Sequence, residues 1–225
     1  GLAEVRAIPR DIRGVPEDRQ ASIGRLFAVS LSEEIAVYID ADAIFCKPAP
    51  ELWEVKGNLV NAVRDTGGKV ADLVWCDEKP RYVKSFPEVA MMKGFNSGML
   101  GFATREWRDL PERFEKALAK GGFETYKFVR DQSMLNAIIQ PQVNWLPLKF
   151  NAHCLFDNGI PRDVRVVHFT SALKPWMAKF SRYEPAYYYW LKYGCETPAA
   201  VLLTCLFRIA ARSPVRLLKR LFRKM

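Results

Sequence analysis

The sequence lacks several features that would place it in other protein classes. It has no uninterrupted apolar run long enough to span a bilayer, no signal peptide at its N-terminus, no internal repeat and no low-complexity segment. Its five cysteines are scattered, odd in number and never spaced as CxxC. We therefore expect buried, reduced thiols in a reducing compartment rather than disulfides or a zinc site.

Acidic residues are also missing after Glu196, although seven basic residues follow it. Because the net charge of the whole chain is +9, the rest of the molecule carries only +2 and is nearly neutral. The 49% hydrophobic and 26% charged composition is that of a globular protein, with one sizeable domain or two small ones. We predict a folded domain over residues 1–196 and a separate basic tail over residues 197–225.

The tail reads as two helices divided at Ser213-Pro214, where Ser can cap and Pro can occupy the first helical position. In the second helix one face is apolar and the other basic (Leu217, Leu218, Leu221, Phe222 and Met225 against Arg216, Lys219, Arg220, Arg223 and Lys224). This pattern is typical of a helix lying on an anionic membrane surface. A helix packed on the core and nucleic-acid binding are alternatives, but the body offers no basic groove, so we expect no nucleic-acid partner.

The stretch Tyr38–Phe45 is the first that indicates chemistry. Two carboxylates, Asp40 and Asp42, follow the apolar strand Ile35–Ile39, and apolar residues resume directly after them. Carboxylates at the end of a buried strand are costly to desolvate unless a cation meets them. Hard oxygen ligands suit Mg²⁺ or Mn²⁺, and such ions often bridge to phosphate oxygens. Asp-x-Asp also occurs by chance on many surfaces.

Strand-like and helix-like segments alternate, which predicts an α/β fold with a mostly parallel sheet flanked by helices. In such folds ligands gather at the carboxyl ends of strands, where the two aspartates fall. The predicted strands are about Glu4–Ile8, Ile35–Ile39, Asn58–Val63, Ala90–Met92 and Val164–Phe169, and the predicted helices are Ser22–Leu31, Leu110–Lys120 and Asp131–Ile139.

Four further polar segments have both a structural and a functional interpretation. Asn96-Ser97-Gly98 can be a tight approach within a strand, and Asp131 can be an N-cap that leaves Gln132 facing a cleft. His168 can be a buried histidine or a metal ligand, and Lys174 can belong to a rigid surface turn or bind an anion.

The ordered blocks YIDADAIF, FNSGMLGF, DQSMLNAI, LPLKFNAH and HFTSALKPW resemble glycosyltransferase family 8 over about Ser22–Trp176. Arg25 in ASIGRLF and Asp65 in VRD also match that family's pattern. The resemblance implies a GT-A fold and transfer of a sugar from a nucleotide-diphosphate donor with retention at the anomeric carbon. Only 39 residues precede Asp40, which implies that part of the family's N-terminal nucleotide-binding region is lacking from this sequence.

The resemblance also implies residue roles. Asp40, Asp42 and His168 would hold Mn²⁺ (or Mg²⁺), and Gln132 and Asp131 would be the catalytic residues at the reacting face of the sugar. The donor sugar and its diphosphate would contact the remaining matched residues (Arg25, Asp40, Asp65, Asn96, Ser97 and Lys174).

We therefore expect a retaining, metal-dependent hexosyltransferase of lipopolysaccharide biosynthesis that uses a UDP-hexose and a glycolipid or polysaccharide acceptor. Its basic tail would hold it peripherally on the cytoplasmic face of a membrane. One alternative is a truncated, non-catalytic remnant that binds a membrane or a partner. A nucleotidyltransferase is a third hypothesis, but it predicts a Gly-rich phosphate loop near the start, which this sequence lacks.

Overall fold

The computed structural model describes residues 11–30, 34–74, 77–121, 131–153, 160–170, 174–175 and 189–190. This part of the chain forms an α/β structure with two small sheets flanked by helices. Its strands are β1 (Ile35–Ile39), β2 (Ala43–Phe45), β3 (Val60–Lys69), β4 (Lys93–Ala103), β5 (Val143–Leu146), β6 (Ala152–His153) and β7 (Val166–His168). Its α-helices are α1 (Lys79–Ser85), α2 (Pro87–Ala90), α3 (Thr104–Trp107), α4 (Leu110–Gly121) and α5 (Asp131–Ile139). Helices of the 3₁₀ type span Glu17–Ser30, Pro50–Trp53, Val70–Leu73 and Leu148–Phe150.

The larger sheet has the strand order β1-β4-β3-β5, and the smaller has the order β2-β7-β6. The pairs β1–β4, β3–β4 and β2–β7 are antiparallel, whereas β3–β5 and β6–β7 are parallel. The α/β class is as predicted, but parallel pairs do not predominate among the described strands. The helical connection between β3 and β4 is compatible with either strand direction, so the alternation of helices and strands did not determine the pairing.

The flanking helices follow their apolar spacing. Leu110, Phe114 and Leu118 of α4 recur every four residues and are buried in the main core, while the charged residues between them face outward. The predicted bounds of α5, Asp131–Ile139, and of β1, Ile35–Ile39, agree with the structure. β1 was predictable because a continuous apolar run lies between Glu34 and Asp40, and α5 because Asp131 can begin a helix and Pro141 ends it.

β4 runs through the centre of the larger sheet. All nine residues from Gly94 to Phe102 are buried, because core clusters cover both faces of the strand. Phe95 and Leu100 contribute to the main core, and Met99 contributes to a second cluster on the other side. The polar residues Asn96 and Ser97 are therefore held inside the protein by an apolar strand.

Backbone hydrogen bonds bring the ends of three strands together beside β4. The Asp40 N–H donates to the Gly98 carbonyl at 2.8 Å, and the Phe169 N–H donates to the Asp42 carbonyl at 2.9 Å. Ala43 pairs with His168 in the β2–β7 ladder. The two aspartates, β4 and the end of β7 are thus fixed relative to one another by main-chain contacts.

Some sequence predictions are corrected or lie outside the described residues. The predicted strand Ala90–Met92 is wrong: Pro87 begins the short helix α2, and β4 starts only at Lys93. The predicted strand at Glu4–Ile8 and the whole tail, residues 197–225, lie outside the described residues. Among the residues that the structure describes, none of the helices has the length and apolar character to cross a membrane.

Candidate functional site

Asp40, Asp42 and His168 meet where β1 and β7 end. Each offers one ligand atom, and these atoms all lie within 4.8 Å of one another. His168 Nε2 lies 3.1 Å from Asp42 Oδ1 and 3.5 Å from Asp40 Oδ2. Two carboxylates and an imidazole nitrogen converging in this way are a donor set that suits Mn²⁺ or Mg²⁺. We call these three residues the cation cluster.

The environment keeps both carboxylates ionised. Burial alone would raise the pKa of Asp40 and of Asp42, but their hydrogen bonds with His168 and the positive charges nearby outweigh it. The pKa of Asp40 is lowered, and that of Asp42 falls to about 2. Burial opposes protonation of His168, yet its hydrogen bonds to the same two carboxylates raise its pKa overall. The cluster therefore attracts positive charge.

Arg25 joins the cation cluster to the start of α5. Its guanidinium lies 3.1 Å from Asp40 Oδ1 and 3.1 Å from Asp131 Oδ2, and it donates to Ser97 Oγ at 2.7 Å. The guanidinium also stacks over the Tyr38 ring, 4.8 Å from its centroid, and the Tyr38 hydroxyl donates to Asp40 at 2.5 Å. Arg25 thus orients two carboxylates of the site at once.

Lys174 places a second cation beside the cluster. Its ammonium group donates to Asp42 Oδ2 and, at 2.6 Å, to the Phe169 carbonyl. Since the Asp42 carboxylate also faces His168 through its other oxygen, Lys174 lies directly against the cation cluster. An anion bound to the cation would therefore lie within reach of this ammonium group.

A second group of polar side chains, the amide cluster, consists of Asp65, Asn96 and Gln132. Asp65 Oδ2 accepts hydrogen bonds from Gln132 Nε2 at 2.9 Å and from Asn96 Nδ2 at 3.2 Å. Gln132 Oε1 in turn accepts from the Ser97 N–H at 3.1 Å. Because both ends of the Gln132 amide are engaged, its orientation is fixed.

The two clusters border one cavity of about 480 Å³, a size found for small-molecule sites. Nine residues named from the sequence line it (Arg25, Asp40, Asp42, Asp65, Asn96, Ser97, Asp131, Gln132 and His168), and Lys174 contacts Asp42. The structure therefore brings all ten predicted site residues together, from segments as distant in sequence as Arg25 and Lys174.

Gly98 shows how closely these parts are packed. A Cβ atom built at this position would overlap the His168 ring and would lie 2.7 Å from Asp40 Oδ2. The sequence suggested a close backbone approach here, and the structure identifies the cation cluster as the group that approaches.

Several site residues were not singled out by the sequence. These residues all lie inside the sequence blocks that carry the resemblance (Tyr38, Asn136, Asn151 and His153). A short sequence motif does not reveal the contacts that they make in the folded chain. The His153 ring lies 5.9 Å from that of His168, and its Nε2 has no hydrogen-bond partner among the described residues. Burial lowers the pKa of His153 to about 4; the Asp65 carboxylate opposes this lowering, and the charge of His168 adds to it.

Comparisons with known proteins indicate the same family as the sequence blocks. The family model described as Glycosyl transferase family 8 matches residues 24–179. The chain is 28% identical over 183 residues to a lipopolysaccharide 1,2-glucosyltransferase of Escherichia coli (strain K12). That match covers 73% of this chain and 51% of the relative, so the chain spans about half the relative's length.

Solved structures match in fold. A crystal structure of galactosyltransferase LgtC in complex with donor and acceptor sugar analogues aligns with a TM-score of 0.57 and 18% identity, covering 81% of this chain and 68% of that one. The apo form of the glycosyltransferase GlyE of Streptococcus pneumoniae TIGR4 aligns with a TM-score of 0.54 and 21% identity, covering 84% and 46%. The described fold is thus of the GT-A type.

Proposed function

The chain belongs to glycosyl transferase family 8, and on that premise we propose that it is a metal-dependent, retaining hexosyltransferase. Its donor is a nucleotide-diphosphate sugar, a UDP-hexose, and its acceptor is a glycolipid or a surface-polysaccharide precursor. The observation that supports this most is the convergence of Asp40, Asp42 and His168 beside Lys174, in one cavity with the amide cluster.

In this proposal Asp40, Asp42 and His168 would hold Mn²⁺ (or Mg²⁺), and the bound ion would supply positive charge to stabilise the diphosphate leaving group. Lys174 exchanges its contact with Asp42 for a phosphate oxygen and adds a second positive charge there. Arg25 holds Asp40 and Asp131 in place while the bond opens. Electrostatic stabilisation of the leaving group is then the main catalytic effect.

The donor sugar lies against the amide cluster, with Asp131, Ser97 and Asn96 as further contacts. Gln132 borders the reacting face, but an amide is a poor nucleophile, and both of its polar atoms are engaged within the protein. We therefore favour attack by the acceptor from the same face as the departing phosphate, without a glycosyl-enzyme intermediate. Mass spectrometry of the enzyme trapped during turnover should find no sugar on Gln132 or Asp131, and a glycosylated residue would contradict same-face attack.

The acceptor and the location are argued from the relative and the tail. The curated relative is named a lipopolysaccharide 1,2-glucosyltransferase, which favours a lipid-linked acceptor for this chain as well. The basic face of the tail would hold the enzyme peripherally on the cytoplasmic side of a membrane.

Release of UDP from a panel of UDP-hexoses, measured with and without Mn²⁺, tests the proposal. We expect Mn²⁺-dependent release that falls about a thousandfold or more in Asp42→Ala, since a cation ligand and the partner of Lys174 are both lost. Asp109→Ala is the matched control, because it removes an exposed carboxylate that pairs with Arg113 in α4, outside the cavity. No turnover by the wild-type chain with any donor would overturn the proposal and favour the membrane- or partner-binding alternative.

A further inference from the structure

One fully buried side chain, Asn151, connects the cation cluster to the amide cluster. Its Oδ1 lies 3.0 Å from His168 Nδ1, and its Nδ2 donates to Asn96 Oδ1 at 3.0 Å. Asn151 is 0% exposed, so water cannot replace either contact. The direction of these two hydrogen bonds decides which nitrogen of His168 is left for a cation.

The direction of both hydrogen bonds follows from neighbouring groups that can only donate or can only accept. Asn96 Oδ1 accepts from the Gly98 backbone N–H at 3.0 Å, and Asn96 Nδ2 faces the Asp65 carboxylate, which only accepts. Asn96 is therefore fixed with its oxygen toward Asn151. Asn151 must present its NH₂ group to that oxygen, and its own oxygen then faces His168.

An amide oxygen can only accept a hydrogen bond, so His168 Nδ1 must carry the proton that it donates. Neutral His168 then has its lone pair on Nε2, which is the nitrogen that faces Asp42 and Asp40. A lone pair facing two carboxylates is unfavourable unless a cation or a proton lies between them. The arrangement is thus complementary to a cation.

We propose that Asn151 is a positioning residue that holds His168 as the Nδ1–H tautomer, so that Nε2 is directed into the cation cluster. This proposal depends on the proposed function in one respect, namely that the cation bound by the cluster is a divalent metal ion. Through Asn96 the same side chain also fixes the amide cluster relative to the cation cluster.

The tautomer can be measured in the metal-free protein, without activity. The chain has only two histidines, so long-range ¹H–¹⁵N spectra of ¹⁵N-histidine-labelled protein contain two imidazoles, and His153→Gln assigns them. At a pH high enough to leave His168 neutral, we expect its Nδ1 to be protonated and its Nε2 unprotonated. An Nε2–H tautomer in the wild-type chain would overturn the proposal.

Two variants separate positioning from packing. Asn151→Ala removes the acceptor and should weaken Mn²⁺ binding about ten- to a hundredfold, with a mixture of His168 tautomers. Asn151→Asp keeps an acceptor for Nδ1, so it should keep the Nδ1–H tautomer and bind Mn²⁺ more tightly than Asn151→Ala, because a carboxylate serves the same role at other metal-bound histidines. Its second oxygen would face the Asn96 oxygen with no proton to donate, so this variant should lose folding stability. Equal losses of affinity in both variants, with the tautomer unchanged, would contradict a positioning role.

Asn61→Ala is the matched control. Asn61 is also 0% exposed, but its side chain bonds to the carbonyls of Leu52 and Glu54 and to Asn144, away from both clusters. This variant should lose folding stability while the tautomer and the Mn²⁺ affinity stay as in the wild-type chain. If wild-type protein bound no Mn²⁺ but kept the Nδ1–H tautomer, the metal-dependent function would fail and the positioning of His168 by Asn151 would stand.

Discussion

At the scale of single residues, Gly98 limits what the site can tolerate. We expect Gly98→Ala to weaken Mn²⁺ binding by about tenfold or more, because the new methyl group must displace the His168 ring or the Asp40 carboxylate. The crowding should also lower the free energy of unfolding by about 1–3 kcal/mol. Mn²⁺ titration and urea denaturation measure the two effects.

Gly57→Ala provides the comparison for this change. Gly57 has a φ of +55° and open space around its Cβ position, so alanine there should cost about 1–2 kcal/mol of backbone strain alone. Its Mn²⁺ affinity should equal that of the wild-type chain. If Gly98→Ala lost stability but kept full Mn²⁺ affinity, the close approach would have no bearing on the cation cluster.

His153 should make the stability of the metal-free protein depend on pH. Its pKa is about 4 in the folded chain, below the usual 6.5, so the unfolded chain takes up a proton first as the pH falls. Above pH 6.5 the titration of His153 does not change the free energy of unfolding. As the pH falls from 6.5 to 4, protonation of His153 in the unfolded chain should lower that free energy by about 3 kcal/mol. Urea denaturation in the presence of a chelator, at several pH values, measures it.

His153→Gln isolates that contribution, since glutamine does not titrate. The difference in unfolding free energy between the wild-type chain and this variant should shift by about 3 kcal/mol in favour of the variant between pH 6.5 and 4. A difference that does not change with pH would show that His153 titrates normally in the folded protein.

At the scale of elements, one side chain anchors α5 to β4. Asn136 accepts a hydrogen bond from the Phe95 N–H at 2.9 Å and donates to the Phe95 carbonyl at 3.0 Å. It also donates to the Gln132 carbonyl at 2.8 Å, one turn earlier in the helix. These bonds fix the first turn of α5, and hence the Gln132 side chain, against the strand that carries Asn96.

We expect Asn136→Ala to lower kcat about tenfold or more while leaving Mn²⁺ affinity unchanged, because the amide cluster shifts and the cation cluster does not. Leaving the buried Phe95 backbone groups unpaired should also cost about 2–3 kcal/mol of stability. Steady-state kinetics at saturating Mn²⁺ and thermal unfolding measure the two effects. Equal losses of kcat and Mn²⁺ affinity would mean that α5 supports the whole site rather than the amide cluster alone.

The sequence predicted elements better than their pairing. The limits of β1 follow from a continuous apolar run between Glu34 and Asp40, and those of α5 from Asp131 and Pro141, and these are local signals. The antiparallel pairing of β3 with β4 and the contact of Asn136 with Phe95 depend on residues far apart in the chain. The ordered blocks named ten side chains that the fold brings together, whereas Asn151 and His153 could be recognised only from the hydrogen bonds and burial of the folded chain.

At the scale of the whole molecule, the basic tail remains a prediction, because it lies outside the described residues. The full chain should sediment with vesicles that contain anionic lipid. Replacing the five bases of the second predicted tail helix by Gln should weaken binding by more than about a hundredfold, at about 1 kcal/mol per base. These bases are Arg216, Lys219, Arg220, Arg223 and Lys224.

Five exposed lysines of the body serve as the control for charge alone. Their replacement by Gln changes the net charge equally and should leave vesicle binding nearly unchanged (Lys47, Lys56, Lys84, Lys116 and Lys120). Equal losses from both sets would mean that total charge, rather than the tail, attracts the chain to lipid.

The charge around the cavity has a consequence for the order in which ligands arrive. Five aspartates and one arginine line it and Lys174 contacts Asp42, so with neutral histidines these groups carry a net charge of −3. Such a surface repels a diphosphate and attracts a divalent ion. A sugar nucleotide that approaches the metal-free protein would be repelled by this negative charge, and a bound metal ion would reduce the repulsion. We therefore expect ordered binding, with the metal ion before the sugar nucleotide. Under the proposed function, the acidic lining would keep the donor from binding productively before the metal ion is in place.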